Sequence, residues 1–235
     1  MKIISFSVPR YLSKIILLIV IITLWTVIKT EVFWYKDTQT LNPIYELNTE
    51  KKMIAFTCNV AWGNEYLPNM LEIFDKNKIK ITFFIEGRWA EKYPELVKEI
   101  KKRGHEIGNH GYSHAHHAKL NLMDNKKEIE KCEQVLVKLI GEKTKLFAPP
   151  YGEFSKDTIK AAEEMGYKVI LWSIDTIDWK NPGANYIINK VLKNANNGKI
   201  VLMHPTKDII EALPVIIENL KSKGFIIVPV GELLE

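Results

Sequence analysis

Two histidines four residues apart, His110 and His114, stand in the stretch Glu106-Ile107-Gly108-Asn109-His110-Gly111-Tyr112-Ser113-His114. Imidazoles at that spacing offer two ligands to one metal ion where the backbone curls into a turn between them. Taken alone, the stretch also reads as a glycine- and histidine-rich loop. Three further clusters follow it: Pro149-Pro150-Tyr151-Gly152, Asp175-Thr176-Ile177-Asp178-Trp179 and Leu202-Met203-His204-Pro205. Each has a structural reading of its own, as a rigid turn, a helix cap and a structural histidine. Their joint placement argues for chemistry.

That placement follows from the elements that carry them. Seven apolar, β-rich runs, at 53–58, 81–85, 106–109, 146–148, 169–172, 200–203 and 225–230, alternate with helical patterns at 66–75, 90–102, 124–140, 156–165, 185–194 and 208–223. The helical stretches space their apolar residues three and four apart, and Gly104, Gly141, Gly166 and Gly224 supply C-terminal stops. Strict strand–helix alternation predicts a parallel sheet with helices outside it, and the unbroken apolar strands predict burial on both faces. Seven units predict an α/β fold of the distorted (β/α)7 barrel type, with a doubly wound open sheet as the alternative. The first strand is not followed by a glycine-rich phosphate turn, which argues against a nucleotide-binding sheet. In a parallel barrel, chemistry sits at the C-terminal ends of the strands, and every cluster above falls there. So does Asn59-Val60-Ala61-Trp62-Gly63 after the first strand.

Composition sets the limits. The chain has 235 residues, 46% apolar and 26% charged, which suits one globular domain with an appendage. The net charge of +5 is spread over helical faces, with no basic block or aromatic–basic strip, so nucleic acid is not an expected partner. Cys58 and Cys132 fit no metal-ligand spacing, and Cys132 reads as a small buried apolar residue. Residues 15–28 are apolar apart from Thr23 and Thr26, follow Lys2, Arg10 and Lys14, and lead into no small-x-small cleavage pattern. This predicts an uncleaved signal-anchor, with the basic tip in the cytoplasm and the globular part outside. The expected organisation is residues 1–35 as tip and transmembrane helix, 36–51 as a linker or a first strand lying on the domain, and 52–235 as the globular domain.

From about Lys52 onward the motifs resemble the polysaccharide deacetylases, carbohydrate esterases with the NodB-homology domain. His110-Gly111-Tyr112-Ser113-His114 is similar to the family's histidine motif. Phe147-Ala148-Pro149-Pro150-Tyr151-Gly152 resembles its Arg-Pro-Pro-Tyr-Gly motif, and Asp178-Trp179 and Leu202-Met203-His204 resemble the last two. The Trp62-Gly63 pair is most similar to the membrane-anchored, sporulation-associated branch. The resemblance implies removal of acetyl groups from a glycan of the peptidoglycan type, with zinc held by His110 and His114. It implies that His204 is the general acid and Asp178 its tuning partner. Tyr151 and Pro150 would then form the turn that meets the oxyanion, and Trp179 and Leu202 would shape the acetyl pocket. The first motif departs from the pattern. The family's base aspartate becomes Asn59, its ligand aspartate becomes Val60, and the arginine that orients the base becomes Ala148. Three readings follow. The first is a working deacetylase with a rearranged site that recruits Glu65, His116, His117 or Cys58. The second is a catalytically impaired glycan-binding relative without metal. The third is a membrane-tethered structural protein.

Overall fold

A computed structural model describes residues 10–37 and 42–235. It divides the chain into two compact units, Met1–Leu41 and Asn42–Glu235, so the second unit begins inside the stretch read above as linker. In the first unit, α1 (Arg10–Asp37) is one 28-residue helix. Its large apolar side chains from Ile15 to Trp25 are exposed. Among the described residues, no helix is long and apolar enough to cross a membrane.

The second unit is built on β1 (Met53–Val60), whose residues after Met53 are all buried. It pairs in parallel with β2 (Thr82–Ile85) on one side and β7 (Ile200–Met203) on the other. Beyond β2 lie β3 (Glu106–Asn109), β4 (Leu146–Phe147) and β5 (Lys168–Val169); beyond β7 lies β6 (Ile174–Asp175). β8 (Ile226–Val228) pairs with the first residues of β1. The parallel α/β architecture expected from the sequence is present as a curled half-barrel. It differs from the expectation in two respects. The run at 169–172 stops at Val169 and a separate strand forms at Ile174, giving eight strands among the described residues. The path also ends at β5 and β6, which do not pair with each other. Residues 44–47 bridge this side: Ile44 bridges to Ile170, Glu46 to Lys199, and the Leu47 N–H donates to the Gly198 carbonyl.

The helices are α2 (Leu67–Lys76), α3 (Gly87–Lys92), α4 (Pro94–Lys102), α5 (Leu122–Ile140), α6 (Lys156–Glu164), α7 (Ala184–Asn194), α8 (Lys207–Ser222) and the short α9 (Val230–Leu233). The helix expected at 90–102 is two, because Pro94 has no N–H to continue a helix and starts a new one instead. Ser155 and Thr158 form a capping box on α6, and Asn121 and Thr206 cap α5 and α8.

Side-chain alternation along β1 sorts the core into two layers. Ile54, Phe56, Cys58 and Val60 join the large cluster between sheet and helices. Ala55 packs with Phe84, Ile200 and Val228 in a second cluster inside the curl. Thr57 and Asn59 share the inward parity of Ala55.

One ionisable group is sealed into the helix-side layer. His105 is buried between Phe74 and Phe83, with ring centroids 5.8 and 5.1 Å away, and its Nδ1 accepts from the Ile81 N–H. Its Nε2 has no partner. Burial, helped by the Lys80 charge, lowers its pKa to about 4. The unfolded chain, with a histidine pKa near 6.5, therefore takes up this proton first. The stability is complete above pH 6.5 and is lost as pH falls from there toward 4, by about 3 kcal/mol from this group. We expect His105→Gln to flatten the fall in unfolding free energy between pH 6.5 and 4 measured by urea titration; an unchanged slope would mean that other groups carry it.

Candidate active site

The C-terminal ends of β1, β3 and β7 open into a cavity of about 440 Å3. Asn59, His110, His114, Tyr151, Trp179, Leu202 and His204, all singled out from the sequence, line it together with Trp62, Trp172 and Asp175. Pro150 is buried and does not line it, and Asp178 is buried directly behind His204.

His110 follows β3 and is buried. Its Nδ1–H donates to the Ala148 carbonyl at 2.7 Å. A carbonyl can only accept, so Nε2 keeps the lone pair. Burial first, then the neighbouring His114, holds its pKa well below the ordinary histidine value. His114 is shifted the same way, by burial and then by the His204 charge. The two rings lie 5.1 Å apart, and His114 meets Tyr151 edge-on at 4.6 Å. His114 and Tyr151 both have positive φ, 54° and 62°. Such strain in non-glycine residues, about 1–3 kcal/mol each, clusters at functional sites.

Across the cavity, His204 is fixed from two sides. Its Nδ1 lies 2.8 Å from one oxygen of the fully buried Asp178, and its backbone N–H donates to the other at 2.6 Å. The Trp62 ring stacks on the imidazole at 5.5 Å with 11° between planes. Gly63 makes this possible: its φ is +76°, and a Cβ there would lie 2.1 Å from the Pro205 carbonyl oxygen. The loop after β1 thus lies directly on the loop after β7.

The first motif splits. Asn59 faces the cavity, and its buried Oδ1 has no partner, an omission worth about 1–3 kcal/mol. Val60 points the opposite way, fully buried in the helix-side cluster. The donors proposed to replace a lost ligand do not line the cavity either. Glu65 is exposed, Cys58 is buried on the helix side with its thiol pKa pushed up by burial, and His117 is buried against Asn125 at 2.7 Å. His116 stacks on Tyr151 at 4.3 Å and pairs with Glu153 at 2.8 Å. Among the described residues, no three His, Cys, Asp or Glu side chains form a metal-holding group. The donors that line the cavity are His110, His114, His204, the Asn59 amide and Asp175, whose Oδ1 accepts the Ile177 N–H; they do not gather into a complete zinc site.

A polysaccharide deacetylase family profile matches residues 46–170. The chain belongs to the polysaccharide deacetylase family. It is 43% identical over 193 residues to protein YlxY of Bacillus subtilis, covering 82% of this chain and 60% of that one. It is 39% identical over 179 residues to a peptidoglycan-N-acetylglucosamine deacetylase of Bacillus cereus, covering 74% and 65%. The chain thus spans less than two thirds of the length of both relatives. Among solved structures, a CE4-family pseudoenzyme of Bacillus anthracis superposes with a TM-score of 0.82 at 38% identity, covering 85% of this chain and 71% of that one. A mutant of that pseudoenzyme is described as having restored enzymatic activity.

Trp62, Trp172 and Asp175 received no role from the sequence. Strand-end position marks all three, but only the positive φ of Gly63 and the closeness of Gly152 to the Trp172 ring put the two indoles at the cavity. We expect Gly63→Ala to lower stability by roughly 2 kcal/mol or more and to shift the His204 ring-proton resonances, which lie beside the Trp62 ring. Unchanged resonances in a folded variant would mean that the loop contact does not set the stack.

Proposed function

We propose that this chain is a catalytically impaired member of its family that binds a peptidoglycan-type glycan at the cell envelope. The observation that carries the reading is the split of the first motif: Asn59 in the cavity and Val60 out of it. Water attack on an acetyl carbonyl needs a group that takes a proton, and an amide does not accept one at neutral pH. The Asp178–His204 pair would orient a sugar substituent, with His204 Nε2 toward the cavity. Trp62, Tyr151 and Trp179 are 42–53% exposed, broad aromatic faces on which sugar rings can rest. The likeness to the pseudoenzyme supports the same reading, and the curated deacetylases point to the glycan class.

The alternative of a working deacetylase with a recruited ligand is weakened by the positions of Glu65, His117 and Cys58. Two finer elements belong to the proposal. Attachment to the membrane rests on the apolar run at 15–28 and its flanking lysines, with the globular unit outside. A place in sporulation rests on the Trp62-Gly63 pair alone. If the attachment is right, the full chain expressed in bacteria remains in the membrane pellet after carbonate washing, and release into the supernatant would refute it.

The catalytic reading has a direct test. The purified chain should release no acetate from N-acetylated peptidoglycan and bind less than one equivalent of zinc. Asn59→Asp, which places a carboxylate in the cavity with His110 and His114, should raise both. Val60→Asp should instead destabilise the fold by roughly 3 kcal/mol or more, because it buries a carboxyl group among apolar helix-side residues, without adding zinc affinity. Acetate release by the unaltered chain, abolished by His204→Ala, would overturn the impaired reading.

A further inference from the structure

A second cavity, of about 300 Å3, adjoins the first, and the exposed Trp62 indole lines both. Asn64, Glu86, Arg88, Trp89 and Lys92 also line it. Arg88 and Lys92 stand four residues apart on α3, so their side chains share one helix face. Both are exposed, and neither forms an ion pair among the described residues. Their stems are steadied by rings: the Arg88 guanidinium lies 5.6 Å from the Tyr112 centroid, and the Lys92 ammonium 5.1 Å from that of Tyr93. Ring contacts hold a cation without neutralising it.

The buried Trp89 indole lines this cavity, and its Nε1 donor has no partner. The wall therefore offers a guanidinium and an ammonium beside the Trp89 ring, whose own N–H is buried out of reach of solvent. The opposing charge is Glu86, a single buried carboxyl whose Oε2 accepts the Trp89 backbone N–H as the cap of α3; burial raises its pKa, and the Trp89 N–H and the Arg88 charge act against that shift. The remaining charge of the wall is positive.

We infer that this cavity is a carboxylate subsite, which takes the acidic substituent of the sugar next to the one held at the Trp62–His204 face. The inference rests on the glycan reading above and deepens it. Trp62 forms the partition, so one glycan chain can lie across it with a neutral N-acetylated sugar on one side and a carboxylated ether, of the O-lactyl kind, on the other. A bidentate guanidinium contact and a flexible ammonium suit such a group.

The test uses the full chain and calorimetry with three probes: a tetrasaccharide of alternating N-acetylglucosamine and N-acetylmuramic acid, which carries the lactyl ether, its methyl ester, and the neutral N-acetylglucosamine tetramer. We expect the free acid to bind about tenfold more tightly than the ester, with the preference shrinking as salt rises. R88Q/K92Q should bring the acid down to the level of the ester and leave the neutral tetramer unchanged. Equal binding of acid and ester by the unaltered chain would overturn the inference, as would a preference that survives in R88Q/K92Q or an equal loss for the neutral tetramer. Neutral-tetramer binding without an acid preference leaves the glycan reading standing. Binding of none of the three overturns that reading too.

Discussion

The rim depends on the alternation of side chains along β1. This strand is buried on both faces and is the one to which β2, β7 and β8 all bond. A strand so placed cannot shift its register without exchanging every inward residue for an outward one. The sheet ladder therefore holds Asn59 toward the curl and Val60 toward the helices through the last residue of the strand. The Glu86 N–H, which donates to the Val60 carbonyl, keeps the pairing with the β2 side intact to that point. The chemistry available at the cavity floor is decided by that constraint before any loop is considered.

Around the fixed floor, the two histidine sets are held by unequal means. His110 is locked by burial and a single carbonyl, which makes it a neutral imidazole with a free lone pair. His204 is held by both oxygens of a buried carboxylate and covered by an indole. The second arrangement keeps its function as a directed donor or acceptor whether or not the first holds a metal. On the reading proposed above, Trp62 and His204 would serve recognition from β7 and the loop after β1, while Tyr151 would do so from its packing on the histidine turn.

Much of this was legible in the sequence, for definable reasons. Helical periodicity and glycine stops marked most helices within two residues, and the division at Pro94 was open to view because proline cannot sit inside a helix without loss of a hydrogen bond. The inward and outward parity of Asn59 and Val60 also follows from a period of two, but only once the strand is known to run to Val60; read as ending at Cys58, it leaves both residues free to turn inward. The closure by residues 44–47 was legible only as the alternative of a strand lying on the domain, without its partners. Those residues have no periodic pattern, and their partners lie more than a hundred positions away. Glu65 seemed near the histidines by its place after the first strand, whereas loop geometry leaves it exposed. The Trp62 stack was hidden for the same reason: it rests on a left-handed glycine meeting a carbonyl from the other end of the chain.

In the impaired reading proposed above, the residues at positions 59 and 148 form one electrostatic unit. A carboxylate at 59 would lie buried beside His110 and His114, neutral imidazoles whose burial resists protonation, so without a metal its charge would have no compensation. An amide of nearly the same shape removes that charge, although it leaves one acceptor unpaired. Once no carboxylate stands at 59, a guanidinium at 148 would itself be a buried unpaired cation, and alanine removes it. Likewise, a carboxyl group at 60 has no role without an ion to bind, and in this register it would enter the apolar layer, where valine packs without loss. Asn59 and Ala148 would thus each remove the penalty left by the other, while Val60 answers to the register of β1. On that reading the Asn59 floor would be stable without a metal, and the aromatic and basic walls around it would govern what binds.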